Sequence, residues 1–238
     1  MSRLPPRSAA WLTLARAYAR RRLARDLDGV RVRGLERARE ASRAAPLILA
    51  ANHVGWWDSF LVVAVDEALG GEGRALMDEE NLRSLPFFAR LGALPFSPAR
   101  ARSGLRRAAA WLMGPGHSLW IFPQGAHRPP HLRPLGFGRG VELLAGQAPL
   151  AEIVPVALQY AWADQPGPGA WIDLGTPLRA AEVAERGGAQ RLEAAVERGL
   201  GRIDAALEDH CPVFTELIPS RSRGAEWGAR LLAGWRRG

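Results

Sequence analysis

The sequence predicts an α/β fold: a single domain with a mostly parallel central sheet flanked by helices, plus basic amphipathic terminal helices. Three observations predict it. Apolar runs of strand length alternate with helical stretches along most of the chain. Two of those runs, Pro46–Ala50 and His117–Phe122, lead straight into turn-rich segments that carry polar residues. The 238 residues are 47% hydrophobic and 24% charged, enough to bury a core within one domain.

The elements follow in order. A helix is expected over about 8–26, then a short strand at Val30–Val32. Ala41–Ala45 reads as a loop and Pro46–Ala50 as a buried strand. A helix covers Asp58–Ala68, a strand Arg74–Met77, and a helix about Glu80–Leu91. Leu94–Phe96 is a short strand. A helix from about Ala99 to Met113 ends at Gly114-Pro115-Gly116. His117–Phe122 is a strand entering the turn Pro123-Gln124-Gly125. A helix spans Gly138–Ala145, strands span Glu152–Leu158 and Ala170–Leu174, and a long helix spans Ala189–Glu208. This divides the chain into a basic amphipathic helix at 1–27, a body at 28–220 and a basic amphipathic segment at 221–238.

The formal charge is +8. It sits at the ends: residues 1–26 hold seven arginines against one aspartate, and residues 221–238 hold five against one glutamate. The body is slightly acidic. That argues against a nucleic-acid partner, for which the charge would lie on a folded basic module. Lysine is absent, which fits a compositional bias shared with Ala, Gly and Pro. Trp11, Leu14, Ala15 and Tyr18 recur at helical spacing, as do Trp227, Leu231 and Trp235. A cationic helix with tryptophan on its apolar face suits an anionic membrane interface. The alternative is a helix docked on the core with a solvated basic face. No apolar run reaches the roughly 18 residues of a spanning helix. Arginines on both sides of Ala9–Ala15 do not suit a secretory signal, while an Arg-rich transit segment stays open. The single cysteine, Cys211, excludes an intramolecular disulfide.

Two segments carry candidate chemistry. In Asn52-His53-Val54-Gly55-Trp56-Trp57-Asp58 a strand ends in a histidine, and an aspartate follows five residues later near a helix start. The carboxyl end of a strand beside a helix N-terminus is a usual active-site position in α/β folds. A histidine held by a carboxylate is a general base. The plainer alternative is a helix-capping Asp58 beside a structural His53. In Phe122-Pro123-Gln124-Gly125-Ala126-His127-Arg128 the turn presents the Gln124 amide and the Arg128 cation. Pro155, inside the apolar run Ile153–Leu158, suggests an edge or a bulge facing a ligand. His127 and His131 have an i, i+4 spacing, but Pro129 and Pro130 break the helix that would bring their rings together, so a metal site is not expected.

Taken in order, the His-x4-Asp of the first segment, the Phe-Pro-x-Gly turn about 70 residues on, and the Val-Pro strand about 30 further resemble the glycerolipid acyltransferase family, which includes the 1-acylglycerol-3-phosphate acyltransferases. The likeness covers roughly residues 46–176. It implies an acyltransferase domain over 28–220 and direct transfer of an acyl group from coenzyme A or acyl carrier protein to a lipid hydroxyl. His53 would be the general base and Asp58 its orienting partner. Gln124, Gly125 and Arg128 would bind substrate, and Cys211 and the serines need no nucleophilic role. The likeness implies no bound cofactor or metal, an anionic membrane surface as partner, and a place on the cytoplasmic face. The chain departs from the family pattern twice. Gln124 stands where a glutamate is usual. Pro98 stands where an arginine helps bind an acceptor phosphate, and Arg100 and Arg102 just beyond would replace it. These departures point to an altered acceptor pocket, or to a lipid-binding relative without turnover. A metal-dependent hydrolase built on His53 and Asp58 would need more ligands than the sequence offers.

Overall fold

The structure is a computed structural model that describes residues 7–162, 167–209 and 213–220. The helices are α1 (Ala9–Asp26), α2 (Leu35–Ala44), α3 (Asp58–Leu69), α4 (Glu79–Ser84), α5 (Phe87–Leu91), α6 (Ala101–Ala109), α7 (Gly140–Gln147), α8 (Ala180–Ala184) and α9 (Gly188–Asp209). The strands are β1 (Val30–Arg33), β2 (Leu47–Ala51), β3 (Glu72–Asp78), β4 (Leu94–Phe96), β5 (His117–Ile121), β6 (Glu152–Trp162), β7 (Pro168–Leu174), β8 (Leu178–Arg179) and β9 (Thr215–Ile218). One sheet holds them in the order β4-β3-β5-β2-β6-β7-β1-β9, with β8 beside β6. Strands β4, β3, β5, β2 and β6 run parallel. The antiparallel β6–β7 pairing reverses the direction, β1 runs parallel to β7, and β9 closes the edge antiparallel to β1.

Successive strand residues face opposite sides, so each buried strand feeds two cores. Leu47, Leu49 and Ala51 of β2 pack under α1, α2 and α3, together with Leu23, Ala38, Leu61 and Val65. Ile48 and Ala50 pack on the other side, with Leu105, Leu144, Leu192 and Val196 from α6, α7 and α9. The parallel strands are therefore apolar on both faces, as buried parallel sheets must be.

This layering creates the crevice where the chemistry sits. The chain leaves β2 through α3 on one face and reaches β3. It leaves β5 through α7 on the opposite face and reaches β6. Neighbouring strands whose connections depart in opposite directions open a crevice at their carboxyl ends. His53 follows β2 and the Phe122–Gly125 turn follows β5, so both candidate segments meet there.

Several expectations are corrected. Of the expected loop Ala41–Ala45, residues 41–44 are the end of α2 and Ala45 is its C-cap. That helix is short and buries only Ala38 and Ser42, so it carries almost no apolar stripe to read. The helix expected over Glu80–Leu91 is two short ones, broken at Leu85-Pro86, because a proline disfavours helical geometry in the residue before it. The α6 segment opens with a single 3-10 turn at Pro98–Arg100. Pro155 is neither on an edge nor against the cavity. It is buried where β6 passes from pairing with β8 at Glu152 and Ile153 to pairing with β7 from Val156 onward. No ladder partner needs an N–H at that step.

The first helix docks and exposes at once. Ala19 and Leu23 are buried, while Trp11, Leu14 and Tyr18 remain exposed. The Arg90 guanidinium lies 5.1 Å from the Trp11 ring, and Tyr18 meets Phe60 edge-on at 5.9 Å. The expected C-terminal segment 221–238 lies outside the described residues, as does Cys211.

Candidate active site

Asn52, the first residue after β2, is buried and continues the ladder with its side chain. Its Nδ2 donates to the Leu158 carbonyl at 2.9 Å, and its Oδ1 accepts the Leu158 N–H at 2.7 Å. An amide side chain can replace a peptide unit in this way because it sets an N–H donor beside a carbonyl acceptor in one plane. The β2–β6 pairing thus reaches one step past the strand, and His53 emerges from a rigid base.

Both backbone groups of His53 are also held. Its N–H donates to Gln124 Oε1 at 2.6 Å, and its carbonyl accepts the Arg128 N–H at 2.8 Å. The imidazole stacks on Phe122, with ring centroids 4.2 Å apart, and its other neighbour is the His127 ring at 3.9 Å. Burial, and then the neighbouring His53, hold His127 below the usual histidine range.

Asp58 opens α3 and is fully buried. Its Oδ2 accepts the Val54 N–H at 2.7 Å and the Gly55 N–H at 3.0 Å, and it lies 2.6 Å from His53 Nδ1. Its Oδ1 accepts the Tyr160 hydroxyl at 2.6 Å. A carboxylate that collects donors in this number is an acceptor toward its histidine as well. In the neutral imidazole, Nδ1 is then the donor to Asp58 and Nε2 keeps its lone pair. Tyr160 keeps its proton: burial, followed by the adjacent Asp58 charge, pushes its pKa up.

His53 borders a cavity of about 670 Å³ whose walls are largely apolar, among them Trp56, Val62, Leu76, Phe88, Phe96, Leu105, Phe122 and Leu144. The cavity runs back along β3 to Asp66, Gly73 and Arg74. Arg74 pairs with Leu119 of β5, while His53 stands three residues past Ala50, the partner of Ile121. The far end is polar. Asp66 accepts from Ser118 Oγ at 3.0 Å and faces Arg7 at 3.4 Å. Burial raises its pKa against the pull of Arg7 and Ser118. A Cβ at position 73 would come within 1.6 Å of Asp66 Oδ1, so only glycine fits there. Arg74 lies over the Trp111 ring at 4.3 Å, and burial, then Arg7, lower its pKa.

The other expected residues fall in distinct places. Gly125 closes the turn, its N–H on the Phe122 carbonyl at 3.0 Å and its φ at +69°, and it borders the cavity. Gln124 does not border it. Its Nε2 donates to the Leu135 carbonyl at 2.9 Å, so its amide ties His53 to the loop before α7. A glutamate would keep the His53 contact and set an oxygen against the Leu135 oxygen, which gives Gln124 a structural reason. The Arg128 guanidinium lies beside Gly136, away from the cavity lining. Pro98 borders the cavity, whereas Arg100 is exposed and paired with Glu79 at 2.6 Å, and Arg102 is exposed on α6. Among the nearby aromatics, Trp56 and Phe88 line the cavity. Trp57 packs on Tyr160, and Phe87 is exposed. Tyr160 and Asn52 were missed as site residues. The one signal for Tyr160 is the alternation Val154, Val156, Leu158, Tyr160, which puts it on the α3 face of the sheet. Among the described residues, no three His, Cys, Asp or Glu side chains gather as metal ligands.

The histidine–carboxylate pair thus stands at the switch point of an α/β sheet and opens to a largely apolar cavity. The chain belongs to the Acyltransferase family, whose model matches residues 29–159. Its fold is similar to that of the 1-acyl-sn-glycerophosphate (LPA) acyltransferase PlsC from Thermotoga maritima. The TM-score is 0.61 at 18% identity, over 82% of this chain and 80% of that one. A comparison with curated proteins gives no significant match.

Proposed function

We propose that this acyltransferase moves a fatty acyl group from a thioester of coenzyme A or acyl carrier protein to the hydroxyl of a membrane lipid, with His53 as general base. The observation that carries this reading is His53 itself: Nδ1 locked on buried Asp58, and the ring bordering a largely apolar cavity of about 670 Å³ that reaches back to Arg74. The acyl chain lies in that cavity. The acceptor hydroxyl approaches Nε2, which takes its proton as the oxygen attacks the thioester carbonyl carbon. When the tetrahedral intermediate collapses, the C–S bond breaks and the Nε2 proton passes to the departing sulfur, giving a thiol and an ester. Asp58 stabilises the imidazolium in between. General-base assistance of this kind is worth about 10²–10⁴-fold.

The surface near His53 favours a lipid acceptor taken from a membrane. Tyr18, Phe60 and Trp56 form a chain of ring contacts at 5.9 and 6.1 Å, running from α1 to the loop that carries His53. Trp56, Tyr18, Leu14 and Trp11 are all exposed. This aromatic strip would lie on the cytoplasmic leaflet, where both thioesters are present. The described helices include none long and apolar enough to cross a membrane. Arg100 and Arg102, exposed just beyond Pro98, would be the cations to meet an anionic head group. The resemblance to an LPA acyltransferase makes a lysophospholipid the first acceptor to try.

The test is thioester consumption by wild type and His53→Ala in liposomes carrying a panel of lipid alcohols, with products separated by mass. Transfer to one acceptor, lost in His53→Ala, is expected. Transfer that survives in His53→Ala would remove His53 from the chemistry. Liposome binding without transfer to any acceptor would favour a lipid-binding relative.

A further inference from the structure

Asp58 is oriented from two sides. Val54 and Gly55 hold Oδ2 from its own turn. Oδ1 is held from across the sheet by Tyr160, 102 residues away in sequence. We propose that Tyr160 is a positioning residue of the transfer step: its hydroxyl fixes Asp58 Oδ1, aims Oδ2 at His53 Nδ1, and takes up part of the carboxylate charge. This rests on the reading of His53 as the base.

The position of the hydroxyl is built into the fold. Asn52 clamps β6 at Leu158, two residues before Tyr160, and residues two apart on a strand share a face. Trp57, the residue before Asp58, packs against the phenol ring with centroids 5.6 Å apart. The hydroxyl is therefore delivered by a strand pinned to the same segment that carries His53. Raised by burial, the phenol stays protonated and remains a donor to the carboxylate.

The sign of its effect follows from electrostatics. A donor to Asp58 bonds most strongly when His53 is neutral and the carboxylate charge is uncompensated. It therefore favours neutral His53. Without the donor, more carboxylate charge falls on the ring and the imidazolium persists to higher pH. The titratable groups facing the pair are His127, from the loop after β5, and Tyr160, from β6. His127 is untouched in a Tyr160 variant.

The experiment is the pH profile of kcat/KM for full-length wild type, Tyr160→Phe and His53→Ala, on one thioester and one acceptor. Tyr160→Phe keeps the ring and its packing. Its kcat/KM is expected to fall about tenfold at neutral pH, by analogy with partners that orient a ligating histidine. The acid limb is expected to move up by about one pH unit. Site-specific 3-fluorotyrosine at position 160, a stronger donor, should move the limb the other way. An unchanged limb in both variants would overturn the proposal, even if Tyr160→Phe melts earlier. If Tyr160→Phe fails to fold, the fluorotyrosine profile decides alone. Wild-type transfer in His53→Ala would instead defeat the base assignment on which the proposal stands.

Discussion

Helix α3 carries two buried carboxylates, Asp58 at its first residue and Asp66 two turns on, and their surroundings differ in kind. Asp58 receives two backbone N–H groups, a tyrosine hydroxyl and an imidazole N–H. Asp66 receives a serine hydroxyl and the Gly73 N–H, and it faces an arginine from the chain's N-terminal segment. The donors to Asp58 are turn backbone, a tyrosine on a pinned strand, and a histidine whose backbone is held on both sides. Arg7, by contrast, reaches Asp66 on a long flexible side chain. The first arrangement fixes a direction, which the proposed base would need. The second ties the segment leading into α1 to the sheet and closes the far end of the cavity. Burial alone therefore does not tell the two carboxylates apart; what differs is the set of donors around each.

The widest separation should come from Asp58→Asn. Its kcat is expected to fall about 10³-fold, because the amide cannot both accept the backbone N–H groups and stabilise the imidazolium. Its circular dichroism should match wild type. A kcat within a few-fold of wild type would erase the distinction between the two sites. Arg7→Ala should show the opposite profile. Removing the cation leaves Asp66 buried and destabilises the fold by about 2 kcal/mol, less than for a fully stranded ion because Ser118 and Gly73 still donate. Turnover of a short-chain thioester per folded molecule should hold. Chemical denaturation reads the first quantity and kcat the second. A kcat collapse without a stability loss would place Arg7 in the chemistry instead.

The finest test is the pH dependence of stability. Burial raises the Asp66 pKa in the fold from its ordinary 3.8. The native state then binds the proton more tightly than the unfolded chain, so this group's contribution declines as pH rises from 3.8 through the raised value. Asp66→Asn removes that slope. Wild type minus Asp66→Asn stability, measured between pH 3.5 and 7.5, should decline with rising pH. A flat difference would mean that Arg7 fully offsets the burial.

Legibility in the sequence followed distance along the chain. His53 and Asp58 could be paired from the sequence because five residues and one turn join them. The alternation of elements was readable because apolar periodicity is local. Gln124 was readable as a turn residue. Its task of bridging His53 to Leu135 was not, since neither partner is adjacent to it. The α1 face of Trp11, Leu14 and Tyr18 was readable as apolar, but the stripe through Ala19 and Leu23 is the one that docks.

By itself, then, the sequence determined the α/β class, the basic ends and the His53–Asp58 pair, because each depends on composition or on neighbours within a turn or two. The tertiary structure alone decided the strand order, which opens the crevice at β2 and β5. It also decided that Arg100 and Arg102 stand outside the cavity, and that Tyr160 and Asn52 serve the site. Those relations link residues from about twenty to more than a hundred positions apart, and only the sheet brings them within hydrogen-bonding range or holds them apart.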